Sequence, residues 1–150
     1  MIGITTPTGD IGARVLRAVL DAGKDVRVIA RNPANLSKDL AAHANIIEGS
    51  HAVPEVIERA FLGTSAVFWL PPGSPVAPNA DAAYVDFSRA FCAALPRSSV
   101  THVVGVFALG RGWGKPSGLA GASIRMDDMI AATGVHYRAL ACASLMDNIA

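Results

Sequence analysis

The residues most suggestive of chemistry lie directly behind the first apolar run. In Ile2-Gly3-Ile4-Thr5-Thr6-Pro7-Thr8-Gly9-Asp10-Ile11-Gly12, Gly9 and Gly12 hold the second and third places of a GxxGxxG-type fingerprint, and Thr6 stands at the first. A glycine at 9 lets backbone approach a pyrophosphate, one at 12 lets helix and strand pack closely, and the free N–H groups of a helix start attract anions. Thr8 adds a hydroxyl donor. No GxxxxGK[ST] string occurs, and Asp10 puts negative charge beside the would-be phosphates, which argues against an NTPase. In such sites an acidic residue about 20 positions further on receives a ribose hydroxyl, whereas an arginine there suits a 2′-phosphate. Arg31 stands just past the second apolar run, followed by Asn32 and Pro33, with Lys38 nearby. Its guanidinium can grip phosphate bidentately while Lys38 supplies a point charge. The competing reading is a tight turn that needs glycine only for packing, with Arg31 and Lys38 as solvated charges.

Acid–base or nucleophilic machinery is harder to find. Tyr84 is followed four places on by Ser88 and Tyr137 by Ala141, so no Tyr-x-x-x-Lys pair exists, and no GxSxG elbow is present. His102 and His136 read as strand-end residues and His43 as a residue on a short helix. Asp127-Asp128 reads as a solvated helix face and not as a metal site. Cys92 and Cys142 are the two cysteines and lack the spacing of a redox or zinc motif, so both read as reduced thiols. The glycine-rich stretch carrying Arg111, Trp113 and Lys115 reads either as a lid or as an ordinary surface loop. Catalytic residues are left unassigned.

Alternating elements must position these groups. Ile2–Thr6, Val26–Ala30, Ile46–Glu48, Ala66–Leu70, Val100–Phe107 and Val135–Cys142 are apolar runs of strand length. Between them Ile11, Val15, Leu16, Val19 and Leu20 recur at helical spacing, with Gly23 as C-cap; Leu36–Ala42 and Val53–Ala60 make two short helices. A fourth helix carries the stripe from Ala80 to Leu95, with Asn79 or Asp81 as its cap. Apolar strands joined by helices belong in a doubly wound, mostly parallel α/β sheet with helices on both faces, a Rossmann-like fold. The loops Pro71–Pro78 and Ala108–Gly121 follow strand carboxyl ends, where such sheets bind ligands. The chain of 150 residues, 51% hydrophobic and 17% charged with a formal net charge of +1, fits one domain and offers no global field for nucleic acid. No apolar run approaches the roughly 20 residues of a membrane span, and no secretory signal is read, so the expected compartment is the cytoplasm. Ser144–Ala150 reads as the start of a further element, leaving open a domain truncated at its carboxyl end.

Taken in order, Thr8-Gly9-Asp10-Ile11-Gly12, Val26-Arg27-Val28-Ile29-Ala30-Arg31-Asn32-Pro33, Glu48-Gly49-Ser50 and Val67-Phe68-Trp69-Leu70-Pro71-Pro72 resemble the NmrA-like branch of the atypical short-chain dehydrogenase/reductases. Thr101-His102-Val103-Val104 through Ala108-Leu109-Gly110, Ala131 to Tyr137, and Met146-Asp147-Asn148 agree with its later parts. The resemblance implies a Rossmann-like NAD(P)-binding domain that favours NADP(H) over NAD(H). By matching motif, Thr8, Gly9, Asp10 and Ile11 would surround the pyrophosphate and Arg31 would meet the 2′-phosphate; Thr6, Gly12 and Lys38 join the expected cofactor site from the reading of the turn and of the nearby charge. Ser50 and His51 would border the adenine, and Leu70 and Pro71 would lie along the cofactor near its ribose. Thr6-Pro7 stands where the family has Gly-Ala, Ser50 where an acidic residue is common, and Ser123 where active relatives carry lysine or histidine. Three functions follow as expectations: first an oxidoreductase reducing a quinone-like or other small electrophile, second a catalytically silent NADP(H) sensor that binds a regulatory protein partner, and last an epimerase-like or lyase-like relative using bound cofactor, against which the absent Tyr/Lys pair counts. A homo-oligomer is compatible with each.

Overall fold

The computed structural model describes residues 1–72, 76–115 and 117–143. Six strands, β1 (Ile2–Ile4), β2 (Val26–Ala30), β3 (Asn45–Glu48), β4 (Ala66–Trp69), β5 (His102–Ala108) and β6 (His136–Cys142), form one sheet in the order β3-β2-β1-β4-β5-β6. Every neighbouring pair is parallel, with Ile4 opposite Val28 on one side and Phe68 on the other. The order is that of the expected doubly wound fold.

Alternation along the strands divides the core in two. On one face Ile29, Val67 and Trp69 pack with residues of α3 (Pro54–Phe61), α4 (Phe87–Ala94) and α5 (Gly118–Ala131). On the other, Ile4, Val28 and Phe68 pack with Leu16 of α1 (Asp10–Asp21) and Leu40 of α2 (Lys38–His43). Val28 and Ile29 are adjacent and both fully buried, as the two-residue period of a strand covered on both sides requires. Trp69 stacks on Phe91 with ring centres 4.0 Å apart, and its indole N–H donates to the Ser88 hydroxyl at 3.1 Å, so burial of the ring leaves no donor unpaired.

Local chemistry explains where the elements differ from the sequence reading. β1 stops at Ile4 because Thr6 turns into the left-handed region at φ 50°. The second helix begins later than read, at Lys38, because Asn32 and Pro33 start a separate 3-10 turn over Pro33–Asn35, where the Asn32 side chain accepts from the Ala34 N–H. Gly23, at φ 69°, closes α1 as expected. Asn79, not Asp81, caps the fourth helical segment, accepting from the Ala82 N–H at 2.8 Å, and one π turn over Ala82–Asp86 leads into α4. Asp81 pairs with Arg125 of α5 instead. Among the described residues no helix is long and apolar enough to cross a membrane. Ser144–Ala150, including Met146-Asp147-Asn148, and Gly73-Ser74-Pro75 of the loop after β4 lie outside the described residues.

Candidate functional site

The site is built where the sheet order reverses, between the carboxyl ends of β1 and its neighbours. The Thr5 hydroxyl accepts from the Leu70 N–H at 2.8 Å and reaches the carbonyls of Phe68 and Leu70, both at 3.1 Å. Thr6 is fixed more fully still: its hydroxyl donates to the Leu70 carbonyl at 3.0 Å, its N–H to His51 Nε2 at 3.4 Å, and its carbonyl accepts from the Gly9 N–H at 3.1 Å. These ties hold a β-branched residue in a conformation that ordinarily belongs to glycine. The turn then passes so close under α1 that a Cβ on Gly12 would lie 1.9 Å from the Thr6 carbonyl oxygen. Gly9 stands at the N-cap with no side-chain cap, so the first N–H groups of α1 point out of the turn without an intrahelical or side-chain acceptor.

Beside this turn lies a cleft of about 240 Å³. Ile29 and Ala30 form its floor, Thr8, Arg31, Asn32 and Asn35 supply polar groups, and Thr6, Pro7, His51 and Pro72 close the remaining walls. Among the described residues, no acidic side chain lines it. His51 is 2% exposed, with its ring set against Trp69 and Phe87 at 6.1 and 5.7 Å between centres. Burial, reinforced by the positive charge of Arg31, pushes its pKa down to about 4, so the ring is neutral near pH 7. Because Nε2 accepts from Thr6, the ring proton resides on Nδ1, which is buried and has no hydrogen-bond partner. A larger hollow of about 510 Å³ opens beside the carboxyl end of α3, but its charged residues, Glu58 and Arg97, lie 3.6 Å apart in a pair of their own. It lies away from the carboxyl ends of the strands and from the start of α1, so size alone does not select it.

Of the residues read from the sequence, Thr6, Thr8, Arg31 and His51 line the cleft together. Gly9, Asp10 and Gly12 form the entry to α1 next to it. Ile11 instead packs against the core beneath α1. Lys38 is exposed at the start of α2, outside the cleft lining, and the Ser50 hydroxyl accepts from the Ala52 N–H in the turn after β3. Leu70 acts through its backbone on Thr5 and Thr6, Pro71 is buried, and Pro72 supplies the wall. Asn32 and Asn35 also line the cleft, and their place within four residues after Arg31 is the signal the sequence offers for them.

The chemistry expected near the other loop is already committed to structure. Asp127 is 4% exposed, which corrects the reading of Asp127-Asp128 as a solvated face: Tyr137 donates to Asp127 at 2.6 Å, and Arg111 bridges Asp127 and Asp128. Burial and the bond to Asp127 hold the Tyr137 hydroxyl well above the ordinary tyrosine range, so it is no source of a labile proton. The Ser123 hydroxyl accepts from the Ala108 N–H at 3.1 Å and anchors the end of β5. Cys92 and Cys142 are free thiols, and burial pushes Cys92 up to about 12, away from reactive thiolate.

The sequence profile of a family described as NAD(P)H-binding matches residues 7–150. Among curated proteins, no sequence match is found. Solved structures with the same fold include a nucleoside-diphosphate-sugar epimerase from Staphylococcus aureus (TM-score 0.85, 17% identity, covering 99% of this chain and 52% of that one). They also include the Citrobacter sp. triphenylmethane reductase complexed with NADP(H) (0.83, 21%, 99% and 51%). A third is an NADPH-dependent quinone oxidoreductase from Escherichia coli complexed with NADPH (0.76, 22%, 93% and 47%). The chain thus spans about half the length of the structures it matches.

Proposed function

Because the chain belongs to the NAD(P)H-binding family, within the Rossmann NAD(P)-binding superfamily, we propose that residues 1–150 form a domain that binds NADP(H) in preference to NAD(H) and serves the reduction of a small electrophile. The residues present fit such a cofactor. The uncapped first turn of α1 offers N–H groups to a pyrophosphate, Gly9 carries no side chain to obstruct it, and Thr8 adds a hydroxyl. Arg31, with Asn32 and Asn35 beside it, suits a 2′-phosphate, and the neutral His51 adds no charge to the cleft wall. Lys38 and Ser50 would contribute from outside the present lining. When bound, NADPH supplies a hydride.

The observation that carries this reading is a cleft beside an uncapped helix start that holds Arg31 and, among the described residues, no carboxylate. Calorimetric titration of wild type and Arg31→Ala with NADPH and NADH tests it. Losing a charge-assisted hydrogen bond costs about 1.5–3 kcal/mol, so Arg31→Ala weakens NADPH binding by roughly 10- to 100-fold and leaves NADH nearly unchanged. Equal affinity of wild type for the two nucleotides would overturn the preference.

On the substrate side, Leu109, Trp113 and Leu119 near the end of β5 and Val76 after β4 expose apolar surface. An apolar, quinone-like acceptor fits such walls and can draw its proton from solvent, so it needs little from the protein beyond orientation. A second reading, a silent NADP(H)-responsive regulator of a protein partner, draws on Ser123 and Tyr137, whose hydroxyls are engaged by Ala108 and Asp127. NADPH consumption with a panel of quinones favours the first reading; cofactor binding without turnover, with partner affinity that depends on cofactor, favours the second.

A further inference from the structure

At the end of the sheet opposite the cleft, two histidines that begin separate strands meet. His102 opens β5 and His136 opens β6, and the parallel register sets them directly opposite one another. Adjacent positions in register point to the same side of a sheet. Their rings lie with centres 5.0 Å apart and planes inclined by 31°, and both residues are exposed. The backbone beneath is fixed, since the His136 N–H donates to the Thr101 carbonyl at 3.1 Å and the His102 N–H to the Ser65 carbonyl at 3.3 Å.

We propose that His102 and His136 form a two-imidazole chelate for a divalent transition metal ion of the zinc class. A metal 2.0–2.1 Å from a ring nitrogen lies about 3.2 Å from the ring centre, so rings 5.0 Å apart subtend about 100° at it, close to the tetrahedral angle. The Thr101 hydroxyl lies 3.1 Å from the Ser65 carbonyl and 2.9 Å from His102 Nδ1; when its proton goes to the carbonyl, Nδ1 is the donor to the hydroxyl oxygen. That arrangement leaves the Nε2 lone pair of His102 available and orients the ring, the role an outer hydrogen bond plays for metal-bound histidine. Both histidines are exposed, so water can complete the coordination shell. The site lies at the amino-terminal ends of β5 and β6, so metal and nucleotide bind independently.

Zinc titration by calorimetry, on wild type and on His102→Ala and His136→Ala, is the direct test. Wild type takes up one zinc ion, and either substitution weakens it roughly tenfold or more, to the level of a lone imidazole; Thr101→Val weakens it roughly tenfold through the outer bond. His43→Ala and Cys142→Ser leave it unchanged, and NADPH affinity is the same with and without zinc. In parallel, the ring-proton NMR signals of wild type report which of the four histidines respond, independently of how the variants fold. Shifts confined to His102 and His136 support the chelate. No stoichiometric uptake, uptake indifferent to both alanine variants, or shifts at His43 or His51 instead would overturn it.

Discussion

Gly12→Ala is the substitution whose cost can be read most directly from the turn. The added methyl would sit 1.9 Å from the Thr6 carbonyl oxygen, 2.6 Å from its carbon and 3.1 Å from the Thr5 oxygen. All three obstacles are backbone, so no side chain can swing aside. Thr6 cannot easily yield either, because its N–H, hydroxyl and carbonyl are each hydrogen-bonded, to His51, Leu70 and Gly9. Restoring an ordinary contact requires α1 to move away from β1 by more than an ångström, and forcing a methyl into a packed site costs about 1–3 kcal/mol or more. At about 2–4 °C per kcal/mol for a chain of this size, Tm falls by about 2–12 °C. Gly9→Ala provides the contrast. Its methyl would meet the Thr6 oxygen at 3.6 Å, an ordinary contact, and φ −92° suits any residue, so Tm stays within about 2 °C. NADPH affinity should nevertheless drop in Gly9→Ala, because the methyl projects where backbone must approach phosphate. Thermal melts and calorimetry on both variants check the pair. A Gly12→Ala protein as stable as wild type, or a Gly9→Ala protein with undiminished affinity, would refute the reasoning.

Other outcomes follow from single residues. Arg27 reaches from β2 to the carboxyl end of α3, donating to the carbonyls of Arg59, Ala60 and Leu62 at 3.2, 3.2 and 2.6 Å. Arg27→Ala should therefore lower the urea unfolding free energy by about 1–3 kcal/mol, and an unchanged midpoint would exclude that capping role. His51 makes stability depend on acid. Above pH 6.5 its ring is neutral in folded and unfolded chains alike; as pH falls towards 4 only the unfolded chain takes up the proton. Stability is therefore lost across that window, by about 3 kcal/mol in all, and His51→Gln should flatten that part of the urea-derived pH profile relative to wild type.

Much of the frame was visible in the order of residues because parallel strands buried on both sides must be apolar throughout. The same physics made Gly12 and Arg31 legible, since a close helix approach and a cation after the second strand leave marks on residue type. What escaped the sequence depended on contacts between distant segments. Asp127 looks like one of a pair of surface carboxylates until Tyr137 of β6 and Arg111 of the preceding loop close over it. His51 follows β3 by only a few residues, yet its burial against Trp69 and Phe87 is set by β4 and α4. The later start of α2 has a local cause, the competing turn at Asn32-Pro33, and shifted Leu36 out of the helix while leaving it buried.

Thr6 carries a lesson for how such turns are recognised. A glycine fingerprint is commonly treated as a string of letters, but the first position demands a torsion angle, and here a threonine meets it at φ 50° with its hydroxyl tied to the end of β4. The steric cost of about 1–2 kcal/mol for a side chain in that region is of the same order as the hydrogen bond that offsets it. Drift between glycine and a tethered threonine is therefore close to neutral for stability. Inventories of nucleotide-binding turns that count glycines will pass over chains of this kind, whereas a search for the torsion together with a hydroxyl partner on the neighbouring strand would recover them.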